Sequence, residues 1–241
     1  MLRINLIYYG NHTPKIDARI LKIRPQYVII NSPHSLWGEV SGVNVLRDIA
    51  EYKTAGIKVF GYITGGYEGS GSNGILSRKW YTMEMNQTLI KNMAVIDLVD
   101  GIFIDECNSF PGPDSRVYLK NLTDAAHRYG LLTWGNVGEA QLSNWFFTGG
   151  GFDMMHSDED WSGRSLSQVQ HDWGNWISVS GIKPGYNARD AFNLTIKAWQ
   201  MGLAYCYITD FGYTSIPAWL EDYADLLKHY EGTRQSPDRI Y

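Results

Sequence analysis

The chain alternates between short apolar runs and longer segments in which apolar residues recur every three or four positions. Several runs are apolar at consecutive positions, as at residues 28–30 and 102–104. Such runs are typical of strands that are covered on both faces, so the pattern predicts a parallel β-sheet. We predict strands at residues 3–9, 27–32, 58–64, 101–105, 131–136, 152–157, 176–179 and 204–210.

Apolar residues at helical spacing fill the segments between these strands and predict helices there. Three of the stripes are followed by a glycine, a residue that commonly ends a helix in a left-handed conformation: Gly56, Gly130 and Gly202. Ser165 is a candidate N-cap for a helix through His171. Pro217 suits the first turn of the last helix.

Strict alternation of eight strands with about eight helices predicts an α/β protein that forms a single (β/α)8 TIM barrel. Successive strands begin about 29 residues apart, which is enough for a strand, a helix and two short loops. A doubly wound open sheet is the alternative. We expect the barrel to occupy residues 1–232 and a C-terminal tail to follow at 233–241.

Composition narrows the classes of partner and cofactor. The 241 residues are 44% hydrophobic and 19% charged, as in ordinary globular proteins, and the net charge is −4. Because no basic stripe and no apolar run of 18 residues occurs, we expect neither a nucleic-acid partner nor a membrane span. The spacing of the histidines does not match a zinc hydrolase, so we predict no metal and no cofactor. Cys107 and Cys206 are expected to be buried.

One glycine-rich string could indicate a nucleotide-dependent enzyme. Residues 69–74 match G-x-G-x-x-G, but the string lies several residues after the third strand and opens no clear helix. A dinucleotide-binding loop belongs in the first turn of a βαβ unit. We therefore predict an active-site loop here.

Acidic residues collect at the predicted ends of the strands, where a βα barrel places its active site. They are Glu68, Asp105, Glu106, Glu139, Asp158, Glu159, Asp160 and Asp210. The chain is also rich in aromatic residues, with 9 Trp and 16 Tyr. Carboxylates cleave glycosidic bonds and aromatic faces stack on sugar rings, so this combination indicates a carbohydrate site.

Residues 101–106 give the sharpest prediction, because an apolar strand delivers Asp105 and Glu106 into the cleft. Three further acids, at residues 158–160, follow the sixth strand, and one of them could face Asp105 across the mouth. A carboxyl separation of about 5–5.5 Å indicates a retaining glycosidase and about 6.5–9.5 Å an inverting one. The candidate substrate-binding residues are Tyr8, Asn31, Tyr67, Trp134, Asn136, His156, Asp158, Trp161 and Asp210.

Four segments resemble one known family. They are Gly-Tyr-Ile-Thr at 61–64, Val-Asp-Gly-Ile-Phe-Ile-Asp-Glu at 99–106, Trp-Gly-Asn at 134–136, and Phe-Asp at 152–153 leading to Glu159. Over nearly its whole length the chain resembles the spherulin-4-like (spherulation-specific family 4) proteins. These form glycoside hydrolase family 135 and are related to the endo-α-1,4-galactosaminidases. At strand five, the Asn-Pro-Gly usual in the family reads Asn136-Val137-Gly138 here.

The resemblance implies a barrel that cleaves α-1,4-linked galactosamine or N-acetylgalactosamine in a microbial exopolysaccharide such as the galactosaminogalactan of a biofilm. It places the catalytic acids on Asp105, Glu106 and Glu159, with Asp158 as the rival of Glu159. It also implies a secreted or cell-surface protein, although residues 2–9 are predicted to form a strand rather than a signal peptide. We expect a monomer.

In this hypothesis Asp105 is the nucleophile or charge stabiliser, and Glu159 is the general acid/base. Glu106 orients water or substrate. The alternative is a barrel that binds carbohydrate without cleaving it, and a nucleotide-dependent enzyme is a third possibility.

Overall fold

The computed structural model describes residues 2–35, 45–65, 82–107, 113–138, 142–210 and 212–234. Strands and helices alternate along this part of the chain. The strands are β1 (Leu2–Tyr8), β2 (Pro25–Ile30), β3 (Lys58–Thr64), β4 (Gly101–Asp105), β5 (Leu132–Asn136), β6 (Met154–His156), β7 (Ile177–Ile182) and β8 (Tyr205–Thr209). The helices are α1 (Pro14–Ile23), α2 (Val45–Thr54), α3 (Met83–Asn92), α4 (Pro113–Arg128), α5 (Trp145–Thr148), α6 (Gln168–Asp172), α7 (Ala188–Gln200) and α8 (Leu220–Arg234).

The eight strands form one sheet in sequential order, and each adjacent pair along the chain is parallel. Strand β8 returns beside β1, so the sheet curls into a nearly closed barrel. The predicted single (β/α)8 TIM barrel is confirmed. The doubly wound alternative is wrong, because such a sheet reverses its strand order at a switch point and this one does not.

Strand β7 is longer than the sequence pattern predicts. The prediction stopped at Val179, but the strand continues to Ile182, with Gly181 paired to Ile208 and Ile182 to Thr209. Ser180 and Gly181 weaken the apolar signal of a strand. Pairing with β8 nevertheless extends it, which shows tertiary structure overriding local propensity.

The ends of the helices agree with the sequence at the glycines but differ at the N-cap of α6 and at Pro217, which precedes α8 rather than lying in its first turn. Gly56 and Gly130 have φ of 83° and 72°, the left-handed conformation that ends α2 and α4 as predicted. The N-cap of α6 is Ser167, not Ser165. Ser167 and Gln170 form a reciprocal capping box, in which each side chain bonds the other residue's backbone N–H.

Aromatic side chains fill the lower half of the barrel. Trp134 is fully buried there, with its ring centroid 5.3 Å from that of Tyr27 and 5.5 Å from that of Phe60, both edge to face. Cys107 and Cys206 are free and buried, as predicted. Because apolar packing closes the lower barrel, the polar residues at the strand ends lie over a solid floor.

No helix within the described residues combines the length and the apolar character that a membrane span requires.

Candidate active site

Asp105 ends β4 and accepts three hydrogen bonds at the mouth of the barrel. The Tyr62 hydroxyl donates to its Oδ2 at 2.7 Å. The Asn136 amide donates to its Oδ1 at 2.7 Å, and the Glu106 backbone N–H donates to the same oxygen at 2.8 Å. Donors converging on one carboxylate fix its orientation and favour its charged form.

Burial acts on Asp105 in the opposite direction. Removal from water raises the pKa of its carboxyl above the ordinary value, and the neighbouring charge of Glu106 adds to the increase. The three hydrogen bonds lower the pKa but do not offset the burial. A carboxyl group with opposing influences of this kind, at the mouth of a barrel, is a candidate for catalysis.

Asn136 connects Asp105 to Glu159, the acid after β6. Its Nδ2 donates to Asp105 Oδ1 and to Glu159 Oε1, each at 2.7 Å. Its Oδ1 accepts from the Gly138 backbone N–H at 2.8 Å, which fixes the amide with its NH₂ group toward the two acids. The bridged carboxylate oxygens cannot lie farther apart than twice 2.7 Å, because they share one donor nitrogen.

The backbone around Asn136 is held as firmly as its side chain. The Cys107 N–H donates to the Asn136 carbonyl at 2.8 Å, and the Val137 N–H donates to the His156 carbonyl at 3.0 Å. These bonds join the ends of β4, β5 and β6. The spacing of Asp105, Asn136 and Glu159 is therefore set by the barrel itself.

Glu106 adopts a conformation that is unusual for a residue with a side chain. Its φ is 56°, in the left-handed region, and its Oε2 accepts a hydrogen bond from Thr64 Oγ1 at 2.9 Å. Left-handed backbone at a non-glycine residue costs energy and is found preferentially at functional sites. The backbone N–H of Glu106 donates to Asp105 Oδ1 at 2.8 Å.

The three acids after β6 have separate surroundings. Glu159 is half-buried and reaches Asn136, whereas Asp160 is exposed. Asp158 is fully buried; its carboxylate lies 2.6 Å from Arg164 and accepts from the Asp160 N–H. Asp158 thus pairs within its own loop, and Glu159 is the member that approaches Asp105.

Three tyrosines that the candidate residues did not include border the acids: Tyr9, Tyr62 and Tyr213. The Tyr9 ring lies 4.9 Å from that of Tyr62 and 5.9 Å from that of Tyr213, edge to face in both pairs. Burial and the nearby acidic charges raise the pKa of Tyr9 and Tyr213 well above the ordinary value. Their hydroxyl groups therefore remain protonated.

Tyr8 was the tyrosine of β1 chosen from sequence, and the structure places it elsewhere. Its hydroxyl donates to the Asn11 carbonyl at 2.7 Å, and its ring packs on His12. Successive residues of a strand point to opposite sides, so Tyr9 lies on the side that faces the mouth. The candidate Asn31, which follows β2, lies beside Tyr9, because its amide donates to the Tyr9 carbonyl at 3.2 Å.

His156 lies beneath the mouth and supports it from below. Its ring is buried, with Nδ1 2.7 Å from Ser178 Oγ and Nε2 3.0 Å from Ser180 Oγ. Ser180 Oγ lies 2.5 Å from the Tyr213 hydroxyl. Burial lowers the pKa of His156 to about 3, so the ring is neutral and works as a hydrogen-bonding support for Tyr213.

The remaining sequence candidates lie outside this group or outside the described residues. Trp134 packs inside the barrel, and Trp161 is buried with its Nε1 directed at the Leu194 carbonyl. Asp210 follows β8, and its Oδ1 is buried without a hydrogen-bond partner among the described residues. The candidates that lie outside the described residues are Tyr67, Glu68, Glu139 and the string at 69–74.

Comparisons with known structures match the barrel over almost all of this chain. A chitinase from Bacteroides thetaiotaomicron matches with a TM-score of 0.60 and 11% identity, over 94% of this chain and 96% of that one. The α-L-fucosidase AlfC from Lactobacillus casei matches with a TM-score of 0.54 and 12% identity, over 97% and 82%. A D-psicose 3-epimerase from Clostridium cellulolyticum H10 matches with a TM-score of 0.56 and 10% identity, over 97% and 98%.

At these identities the comparisons show the fold alone. The matched proteins are a chitinase, a fucosidase and an epimerase by name, so they do not share one reaction. No family model and no curated protein matches the sequence. The resemblance to the spherulin-4-like proteins therefore stays a prediction. Any functional conclusion has to come from the site.

Proposed function

We propose that the protein is a retaining glycoside hydrolase whose catalytic pair is Asp105 and Glu159. The observation that carries the proposal is the Asn136 amide, which bonds both carboxylates from the ends of three adjacent strands. Two acids at the carboxyl ends of barrel strands, joined through a fixed donor, match what glycosidic cleavage requires. The chitinase and the fucosidase among the matched structures are glycosidases by name, which agrees with the proposal.

The separation of the acids favours retention of configuration. Retaining enzymes hold their two carboxyl groups about 5–5.5 Å apart, whereas inverting enzymes leave about 6.5–9.5 Å for a water molecule. Asp105 Oδ1 and Glu159 Oε1 lie within twice 2.7 Å of each other. This upper limit belongs to the two facing oxygens and is compatible with the retaining range, so we propose retention.

The three donors around Asp105 suit the nucleophile. An oxygen of the Asp105 carboxylate attacks the anomeric carbon, and the bond from that carbon to the leaving oxygen breaks. Glu159 gives its proton to the leaving oxygen. In the second half, Glu159 takes a proton from water, whose oxygen displaces Asp105 and restores the free enzyme. Glu106, locked beside Asp105 by Thr64, orients the substrate or the water.

For the substrate we propose a chain of α-1,4-linked galactosamine or N-acetylgalactosamine from a microbial exopolysaccharide, on the strength of the family resemblance. The mouth supports this choice by its charge. Asp105, Glu106, Glu159 and Asp210 give it an acidic character that favours cationic amino sugars over anionic ones. Tyr9, Tyr62 and Tyr213 border the acids with aromatic rings. Because such a polymer lies outside the cell, we propose that the protein acts there.

The direct test is a reducing-end assay on α-1,4-polygalactosamine and its acetylated form. Wild-type protein is expected to release new ends, and Asp105→Asn and Glu159→Gln to lose at least 10³-fold in kcat. Asp160→Asn, which changes the exposed neighbouring acid, is the matched control and keeps activity. Binding without new ends would replace the proposal by a carbohydrate-binding barrel, and full activity in either variant would remove that residue's role.

Loss of folding can be separated from loss of chemistry at Asp105. Because burial raises the pKa of this carboxyl, its ionised form destabilises the folded state at neutral pH. The neutral Asp105→Asn variant is therefore expected to unfold at the same temperature as wild type or a higher one. Circular dichroism melting checks this before the activities are compared.

A further inference from the structure

A second group of polar side chains is buried outside the barrel mouth, between α1 and α2. His12 comes from the loop after β1, Asp17 from α1, and Asp48 from α2. The side chains of His12 and Asp17 are 1% and 5% exposed, and that of Asp48 is 1% exposed. One ligand atom of each residue lies within 4.8 Å of those of the other two.

The contacts within this group leave both carboxylates incompletely bonded. Asp17 Oδ1 accepts from the Tyr52 hydroxyl at 2.5 Å and lies 2.8 Å from His12 Nδ1. Asp48 Oδ1 faces Arg47 at 3.1 Å. Asp17 Oδ2 and Asp48 Oδ2 are buried and have no hydrogen-bond partner among the described residues. Each acid thus has a buried oxygen available for a further ligand.

We propose that His12, Asp17 and Asp48 bind a divalent cation of the zinc type. Two neighbouring carboxylates repel each other when both are charged and buried, and a dication neutralises both. The charge of Arg47 relieves Asp48 only in part, because the Arg47 side chain is 55% exposed and screened by water.

The chemistry of the three side chains favours zinc over magnesium and calcium. Imidazole nitrogen suits zinc and its transition-metal neighbours, whereas magnesium and calcium prefer sites made of oxygen alone. One nitrogen and two carboxylate oxygens form a three-ligand zinc shell, and the Tyr52 hydroxyl or water supplies the fourth position. His12 Nδ1 faces the group, 2.8 Å from Asp17 Oδ1 and 3.4 Å from the Tyr52 hydroxyl. A ligating imidazole nitrogen must be deprotonated, so the ion would replace the hydrogen bond between His12 and Asp17.

The ion would tie the loop after β1 to both neighbouring helices. His12 lies three residues beyond Tyr9, and its ring packs edge to face on Tyr8 with 5.2 Å between ring centroids. Asp17 and Asp48 anchor that loop on α1 and α2. The cation therefore stabilises the segment that presents Tyr9 to the barrel mouth, and its effect appears in unfolding rather than in chemistry.

The test uses the full-length protein, freed of metal with a chelator and titrated with Zn²⁺ by calorimetry, with melting curves alongside. We expect one Zn²⁺ per chain and a melting temperature that rises with Zn²⁺ concentration, as for any ligand of the folded state. His12→Gln and Asp48→Asn are each expected to weaken Zn²⁺ binding at least tenfold. Mg²⁺ at the same concentrations is expected to leave the melting temperature unchanged.

A second buried His–Asp pair provides the control. His34 Nδ1 lies 2.6 Å from Asp97 Oδ1, and Asp97 is buried. Asp97→Asn alters that pair and is expected to keep Zn²⁺ binding. If Asp48→Asn does not fold, Zn²⁺ binding by His12→Gln decides the test. In that variant Asp17 keeps its hydrogen bond from the Tyr52 hydroxyl. No Zn²⁺-dependent shift in wild type, or equal binding in wild type and His12→Gln, would overturn the proposal.

Discussion

The side chain of Asn136 links the two acids at the mouth of the barrel. Its two N–H groups bond one acid each, and its oxygen is held by a backbone N–H two residues on. An aspartate here would add a third charge, and an alanine would release both acids. In the proposed mechanism the amide is therefore a positioning group that holds Asp105 and Glu159 at a fixed spacing.

Tyr62 is expected to influence how the activity depends on pH, through its hydrogen bond to Asp105. Its hydrogen bond lowers the pKa of Asp105, which burial raises. Tyr62→Phe removes that bond, so the pKa of Asp105 rises further. The acidic limb of the pH profile of kcat/KM is expected to move to higher pH, with a loss of roughly tenfold in kcat/KM at its plateau.

Tyr205→Phe is the matched control, since Tyr205 packs on Trp134 in the lower barrel. That variant is expected to keep the pH profile of wild type. An acidic limb that stays in place in Tyr62→Phe would show that Asp105 does not set it.

At the scale of elements, sequence predicted the strands better than the direction of individual side chains. The bounds of β3 and β4 agree with the apolar runs, because both strands are buried on both faces. The sequence selected Tyr8, whereas Tyr9 is the residue that lies beside Tyr62 in the structure, because neighbouring residues of a strand face opposite sides. Asp105 and Asn136 could be selected from sequence because they end predicted strands, whereas Glu159 was preferred to Asp158 only through the family resemblance. Their shared hydrogen bonds could not be predicted, because these depend on the stagger of three strands.

Helix α6 is short, and its N-terminal capping box is expected to affect the stability of the protein but not its activity. Ser167 accepts from the Gln170 N–H, and Gln170 returns a bond to the Ser167 N–H and another to Ser157 Oγ. Ser167→Ala is expected to lower the free energy of unfolding by about 1 kcal/mol. Because α6 contributes no side chain to the mouth, kcat should stay unchanged. Urea melts and the reducing-end assay measure the two effects, and a fall in kcat would contradict this separation.

At the scale of the whole molecule, the barrel interior divides into an apolar floor and a polar upper layer. Trp134 and its aromatic neighbours fill the floor. Above them, the His156 ring is hydrogen-bonded to Ser178 and Ser180, and Ser180 is hydrogen-bonded to Tyr213. The sequence showed an excess of aromatic residues but not this division, which arises only when eight strands bring their inward side chains into layers.

The buried histidine makes global stability depend on pH. The pKa of His156 is lowered to about 3 in the folded protein, while an unfolded chain has the ordinary value of about 6.5. Below pH about 6.5 the unfolded state binds one more proton, so folded stability is lost as the pH falls toward about 3. His156→Gln is expected to flatten this loss by roughly 1.4 kcal/mol per pH unit. Parallel slopes in wild type and variant, from urea melts between pH 4 and pH 6 (about the middle of this window), would contradict it.

We propose that Asp105 and Glu159 form a retaining pair held by the Asn136 amide. Proton NMR of the first sugar released from an α-linked galactosamine oligomer tests it most directly, because the anomers are read before they interconvert. A retaining enzyme releases the α-anomer first, and that is the result we predict. First release of the β-anomer would contradict the account.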